Sequence, residues 1–103
     1  MISEGNGMSR EFKMMSYGKI KYQCPCCGCF TYDNKPTGDF SICPVCFWED
    51  DPVQLEDETF KGGANDVCLL EARENYKKFG ACEERFIRNV RKPLDEELDE
   101  ADY

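Results

Sequence analysis

Cysteine carries the recognisable chemistry of this chain. Cys24-Pro25-Cys26-Cys27-Gly28 and Cys43-Pro44-Val45-Cys46 each set two thiols three positions apart, and fifteen residues separate Cys27 from Cys43. Two such pairs at a separation of roughly 15–20 residues are the spacing of a four-cysteine metal site. The reason is geometric. A two-residue spacer closes a tight turn that aims both sulfurs at one point. Proline after the first cysteine fixes φ near the value the turn wants, and glycine after the second tolerates the positive φ that ends it. Two facing turns give four thiolates around one ion, a tetrahedral site closed to water and so structural rather than catalytic. The expected ligands are Cys24, Cys27, Cys43 and Cys46. Zinc is the expected metal, and iron fits the same ligands, since four thiolates do not choose between the two. The chain has no histidine, which excludes mixed cysteine–histidine sites.

Cys26 and Cys29 form a second pair of the same spacing, thirteen residues ahead of Cys43. That register leaves Gly28 between the ligands, where the turn does not need it, so Cys24 and Cys27 are favoured. Cys26 is then expected to project outward and Cys29 to begin a strand. Cys68 and Cys82 are expected to be packed as small, soft side chains rather than to bind metal.

Two further segments invite a functional reading. Phe47-Trp48-Glu49-Asp50-Asp51-Pro52 offers an aromatic anchor among carboxylates, so Trp48, Glu49, Asp50 and Asp51 are candidate partner contacts. The favoured expectation is that Phe47 and Trp48 roof the metal site while the acids face water or cap the next turn. Arg85, Arg88, Arg91 and Lys92 form a basic run in which Arg88, Arg91 and Lys92 are further candidates. Docking of this run onto the acidic residues 49–58, or a merely solvated face, is the plainer alternative. No nucleophile, open metal position or phosphate loop accompanies these groups, so no active site is expected.

The elements that must position the cysteines are short. Lys19–Tyr22 alternates polar and apolar, Phe30–Tyr32 and Phe40–Ile42 carry strand formers, and turn residues fill 33–39. Together they predict a hairpin with a cysteine pair at each foot. A helix is expected over Asp66–Phe79, with Leu69, Ala72, Tyr76 and Phe79 inward, Glu74 and Lys78 paired outside, and Gly80 as its cap. A further helical turn is expected across Glu83–Val90, with Phe86 and Val90 facing inward and Pro93 stopping it. The predicted fold is a small metal-stabilised α+β domain, a zinc-ribbon or rubredoxin-like pair of turns with a hairpin and a C-terminal helix.

Composition agrees. The 103 residues suit one domain, read as a flexible segment 1–18, a cysteine-rich domain 19–93 and an acidic disordered tail 94–103. A core that small needs cross-links or a metal. The first twenty residues lack the apolar run of a secretory signal and no stretch is long and apolar enough to span a membrane, which predicts a reducing cytoplasm, where clustered thiols bind metal rather than form disulfides. The net charge is −8, which disfavours nucleic acid and anionic lipid as partners.

Several blocks also resemble a known family. CPCCG, CPVCFWEDDPVQL, GGAN, EARENYKKFGA, EERF and NVRKP, spread over about residues 22–93, are similar to the bacterial cysteine-rich CPCC domain. The resemblance implies metal binding at Cys24, Cys27, Cys43 and Cys46 and supplies no reaction. It also implies that Cys29, Cys68 and Cys82, which depart from the family's usual residues, are dispensable to the common fold. The function expected from all this is a non-catalytic, structural-zinc module that binds another protein. An immunity or antitoxin-like protein, opposing a basic nuclease by charge, is one form of it. A rubredoxin-like iron electron carrier and a nucleic-acid-binding zinc ribbon are the alternatives.

Overall fold

A computed structural model describes residues 11–99. Three strands, β1 (Phe12–Met14), β2 (Ile20–Gln23) and β3 (Phe30–Tyr32), form an antiparallel sheet in that order. Phe12 faces Tyr22 and Met14 faces Ile20 across the first pair, while a bulge at Tyr22 and Gln23 offsets the second. The first turn closes through the Gly18 amide on the Met15 carbonyl at 3.0 Å, with Gly18 at φ 91°. The bulge turns the end of β2 into the first cysteine cluster, so the sheet's job is to present Cys24 and receive the chain back at Cys29.

Two helices follow, α1 (Pro52–Glu56) and α2 (Leu69–Phe79). Sequence periodicity missed α1 because one turn and a half carries no period. Its signature is local instead: the Asp51 carboxylate accepts from the Val53 and Gln54 amides at 2.7 and 3.1 Å, with Pro52 at the first helical position. The helix expected from Asp66 starts at Leu69, since loop contacts hold the carbonyls of Asp66 and Val67. The Gly62 amide donates to Asp66 and the Gln54 side chain to Val67. Its far end is as read, with Gly80 left-handed at φ 79°. Leu69 and Ala72 are buried, Tyr76 is half-buried, and Phe79 stands at the surface. Glu74 pairs with Lys77 rather than Lys78.

The hairpin expected from Phe30–Tyr32 and Phe40–Ile42 does not form. Ile42 makes an isolated bridge to Glu49, and residues 33–41 wrap a buried carboxylate. Asp50 Oδ2 accepts from the amides of Thr37, Gly38 and Asp39 at 2.8–3.2 Å. A side chain at Gly38 would run into the Pro52 ring. Gln54 does the same for the next loop. It is fully buried, donates to the carbonyls of Phe60, Asn65 and Val67, and accepts from Asn65. Buried polar groups cost about 1–3 kcal/mol each when unpaired, and here each bond fixes irregular backbone that no ladder could.

These facts revise the aromatic–acidic patch. Trp48 and Asp50 are 0 % exposed and Asp51 is 7 % exposed, so none of the three is a surface contact. Backbone N–H groups take up Asp51 and the Oδ2 atom of Asp50, while Asp50 Oδ1 and the Trp48 indole N–H are buried with no hydrogen-bond partner among the described residues. Glu49 stays half-exposed, its backbone clasped by Asn65 at 2.8 and 2.9 Å.

The ends differ from expectation too. Residues 12–14, placed in a flexible leader, form β1, and residues 94–99, placed in a solvated tail, pack on the sheet and the basic run. Residues 1–10 and 100–103 of those two segments lie outside the described residues. Glu96 accepts from the Ser16 amide and hydroxyl at 2.8 and 2.9 Å, and Asp99 from Gln23 at 2.9 Å. Arg91 clamps Glu97 with two bonds of 2.8 Å, inside a 3-10 turn over Asp95–Glu97. The guanidinium beside Glu97 holds its carboxyl below the usual range. The basic run thus docks on Glu97, Glu83 and Asp66, not on residues 49–58. Removing residues 94–103 from the metal-loaded protein should cost about 1–2 kcal/mol, or roughly 5–10 °C of melting temperature. An unchanged melting curve would show that the segment only rests on the surface.

Candidate metal centre

The two Cys-Pro-x-Cys turns have one geometry. In the first, the Cys26 amide points at Cys24 Sγ at 3.4 Å and the Gly28 amide closes on the Cys24 carbonyl at 2.9 Å. In the second, the Val45 amide points at Cys43 Sγ at 3.4 Å and the Phe47 amide closes on the Cys43 carbonyl at 2.8 Å. Amides aimed at sulfur favour the thiolate. Each turn ends left-handed, at φ 79° for Gly28 and 73° for Phe47. Glycine announced the first of these in the sequence, whereas phenylalanine concealed the second. A left-handed residue with a side chain costs roughly 1–2 kcal/mol. The Phe47 ring offsets this by packing on Phe86, with centroids 4.6 Å apart. Phe86 belongs to a 3-10 segment over Glu84–Asn89, which stands where a helical turn was expected.

The turns face each other and bring their sulfurs together. Cys24 and Cys46 Sγ lie 3.6 Å apart, Cys27 and Cys43 Sγ 3.7 Å apart, and all four within 4.8 Å of one another. A tetrahedral ion with metal–sulfur bonds of about 2.3 Å would put the edges near ~3.8 Å, so the donor set fits one thiophilic ion. An ion held by all four sulfurs has no position left for water or substrate. Cys24, Cys43 and Cys46 are buried at 0–1 % exposure and Cys27 is half-buried. Tyr32 closes the inner side, its hydroxyl donating to the Trp48 carbonyl at 3.0 Å. Thr31 Oγ1 reaches Cys43 Sγ at 3.1 Å.

Packed together, the thiols share protons unequally. The hydrogen bond from Cys24, then those from Cys27 and Cys46, hold the Cys43 thiol far below its ordinary value. The bond to Cys24 is also what most raises Cys27 and Cys46, while burial raises Cys24. A bound cation must displace the remaining protons, so metal is held less tightly as pH falls.

The other cysteines surround this cluster without joining it. Cys26, expected to point outward, is 7 % exposed and packs beside Cys46, because the second turn and Cys82 cover it. Cys29 is buried just before β3, beside Cys27 and the Tyr76 hydroxyl. Cys82 is buried, its amide donating to the Cys46 carbonyl at 2.7 Å, and burial raises its thiol. Cys68 precedes α2 without a side-chain capping bond. All eight thiols are free.

The fold and site define a small α+β domain with a three-stranded antiparallel sheet, a packed helix and a four-cysteine cluster that could hold a metal ion. The chain belongs to the cysteine-rich CPCC family, whose sequence profile matches residues 22–97. The match continues past Pro93 to Glu97, the partner of Arg91, and so takes in part of the segment read as tail. No curated protein sequence matches the chain significantly.

Eight single Cys→Ser variants test the ligand set. Each change at Cys24, Cys27, Cys43 or Cys46 should lower metal affinity sharply, since serine is a far poorer ligand for a soft ion. Each change at Cys26, Cys29, Cys68 or Cys82 should keep one ion per chain in native mass spectrometry. Metal lost from Cys26→Ser and Cys29→Ser but kept by Cys24→Ser and Cys27→Ser would overturn the assignment.

Proposed function

We propose that this chain is a non-catalytic module that holds one zinc ion at Cys24, Cys27, Cys43 and Cys46 and presents its surface to another protein. The observation that carries the reading is the closed cluster itself: four sulfurs at tetrahedral separations, walled by Trp48 and Tyr32. Such a centre fixes two turns relative to one another and leaves the ion nothing to activate. The paired turns give the domain a zinc-ribbon or rubredoxin-like character. A reducing cytoplasm suits eight free thiols.

Support for a partner surface comes from the basic side. A cleft of about 300 Å³ lies between the end of α2 and the chain leading to Pro93, with Phe79, Ile87 and Val90 lining it beside Arg91 and Lys92. Phe79 and Ile87 are exposed, and Arg88 stands out from the same 3-10 segment. Apolar groups rimmed by cations suit an acidic, partly apolar protein segment. Of the candidate contacts, Arg88 and Lys92 have the freest access, Arg91 being tied to Glu97. Iron is the second reading, favoured by the amides aimed at Cys24 and Cys43, which would also tune a redox ion.

One preparation tests both halves. Protein purified with its native metal should be colourless and carry one zinc per chain. The double variant Arg88→Glu, Lys92→Glu should keep that zinc and lose the protein captured by the wild type from its native cell. A visible thiolate–iron band would replace the module by the electron carrier, and equal capture by both proteins would remove this cleft.

A further inference from the structure

We infer that the metal centre has an exchange port at Cys27, built to receive a small anionic thiol. This rests on the metal reading above and adds to it a route by which the ion enters and leaves. Three of the four clustered cysteines are at most 1 % exposed, whereas Cys27 is half-buried. A cleft of about 540 Å³ opens on that side, lined by Cys27, Leu70, Arg73, Tyr76 and Lys77 among others. The volume falls in the range of small-molecule sites, roughly 300–1,000 Å³.

Its walls are fixed and its charge is local. Arg73 Nε donates to the Pro25 carbonyl at 2.9 Å while its other nitrogens hold Glu58 at 3.0 and 3.4 Å. That clamp fastens α2 to the first cysteine turn and keeps the cleft open beside Cys27. Leu70, 45 % exposed, supplies an apolar shelf. Lys77 stands at the mouth, bound among the described residues to the exposed Glu74 at 3.3 Å, so its ammonium can turn to an incoming anion. The chain as a whole repels anions, with a net charge of −8, and a zinc bound by four thiolates adds to that. Arg73 and Lys77 stand in the lining with a single carboxylate, Glu74, so the cleft keeps a net positive charge beside the most exposed of the four clustered cysteines.

The exchange step conserves charge and needs no oxidant. With a metal ion held there, an incoming thiol would supply a sulfur in place of Cys27 and give its proton to Cys27 Sγ, while Cys24, Cys43 and Cys46 would keep their places. The same step at Cys24, Cys43 or Cys46 would require opening the core. Thiols are the fitting class because a soft ion exchanges thiolate for thiolate without loss of ligand preference.

Two measurements on the zinc-loaded full chain test this. Under limiting iodoacetamide, peptide mapping should find Cys27 modified several-fold faster than Cys24, Cys43 and Cys46. Reduced glutathione, an anionic thiol, should accelerate zinc transfer to a chromophoric chelator. Lys77→Glu should cut that acceleration roughly threefold, from charge reversal near the mouth, while acceleration by the uncharged 2-mercaptoethanol stays the same. Modification of all four cysteines at one rate, or glutathione acceleration equal in both proteins, would overturn the port and leave the metal centre standing. A wild type that takes up no zinc would overturn both.

Discussion

Everything in this domain leans on the convergence of four sulfurs from two turns. Six of the eleven residues in its buried core are cysteines: Cys24, Cys26, Cys29, Cys43, Cys46 and Cys82. Large side chains are few in that cluster, chiefly Trp48, Tyr32 and Leu69, with Phe30 buried outside it. Thiols bury little surface each, so hydrophobic transfer alone is a weak reason for this centre to stay closed. Without a cation the cluster crowds protons between buried sulfurs. With a divalent soft ion the same four groups become one cross-link, and its apparent contribution of about 10–16 kcal/mol in small zinc peptides is as large as a typical domain's whole stability, about 5–15 kcal/mol.

The rest of the fold is arranged to make that convergence unique. The sheet delivers Cys24, and the bulge in β2 with β3 returns the chain beneath the cluster. Leu69 and Ala72 of α2 pack on it from the far side, with Arg73 pinning the helix to Pro25. Between the second turn and α2 the backbone is irregular apart from the short α1, and polar side chains take over the role of ladders there. Asp50, Asp51, Gln54 and Asn65 bind loop amides and carbonyls in a connected set. The acidic segment after Pro93 finishes the outer side by neutralising Arg91 and capping the first turn at Ser16. A charge pattern that reads as a solvated tail is here a local complement to a basic run.

Legibility in the sequence followed the range of the signal. The cysteine turns were readable because spacing, proline and glycine act within five residues. The end of α2 was readable because Gly80 announces a left-handed cap. Phe47 hid its left-handed backbone, since the compensation comes from Phe86, distant in sequence. Asp51 caps α1, a role its place before Pro52 allowed, whereas the burial of Asp50 was hidden because composition cannot show that three amides of a loop converge on one oxygen. The strand expected at Phe40–Ile42 yielded to the same interaction: wrapping Asp50 satisfies those amides better than pairing would. β1 is three residues long and the segment after Pro93 has no apolar period, so only their tertiary partners distinguish them from loose ends.

The central claim is that a metal ion at the four-cysteine cluster is part of the folded state and not an accessory to it. Its most direct test is unfolding with and without a strong chelator, followed by the near-ultraviolet signal of the single tryptophan, Trp48, which lies in the wall of the cluster. Metal-loaded protein should unfold in one cooperative transition, and chelation should abolish both that transition and the tryptophan signal, with return of both on adding back zinc. Retention of the signal and of an unshifted melting temperature after the metal is removed would contradict the account.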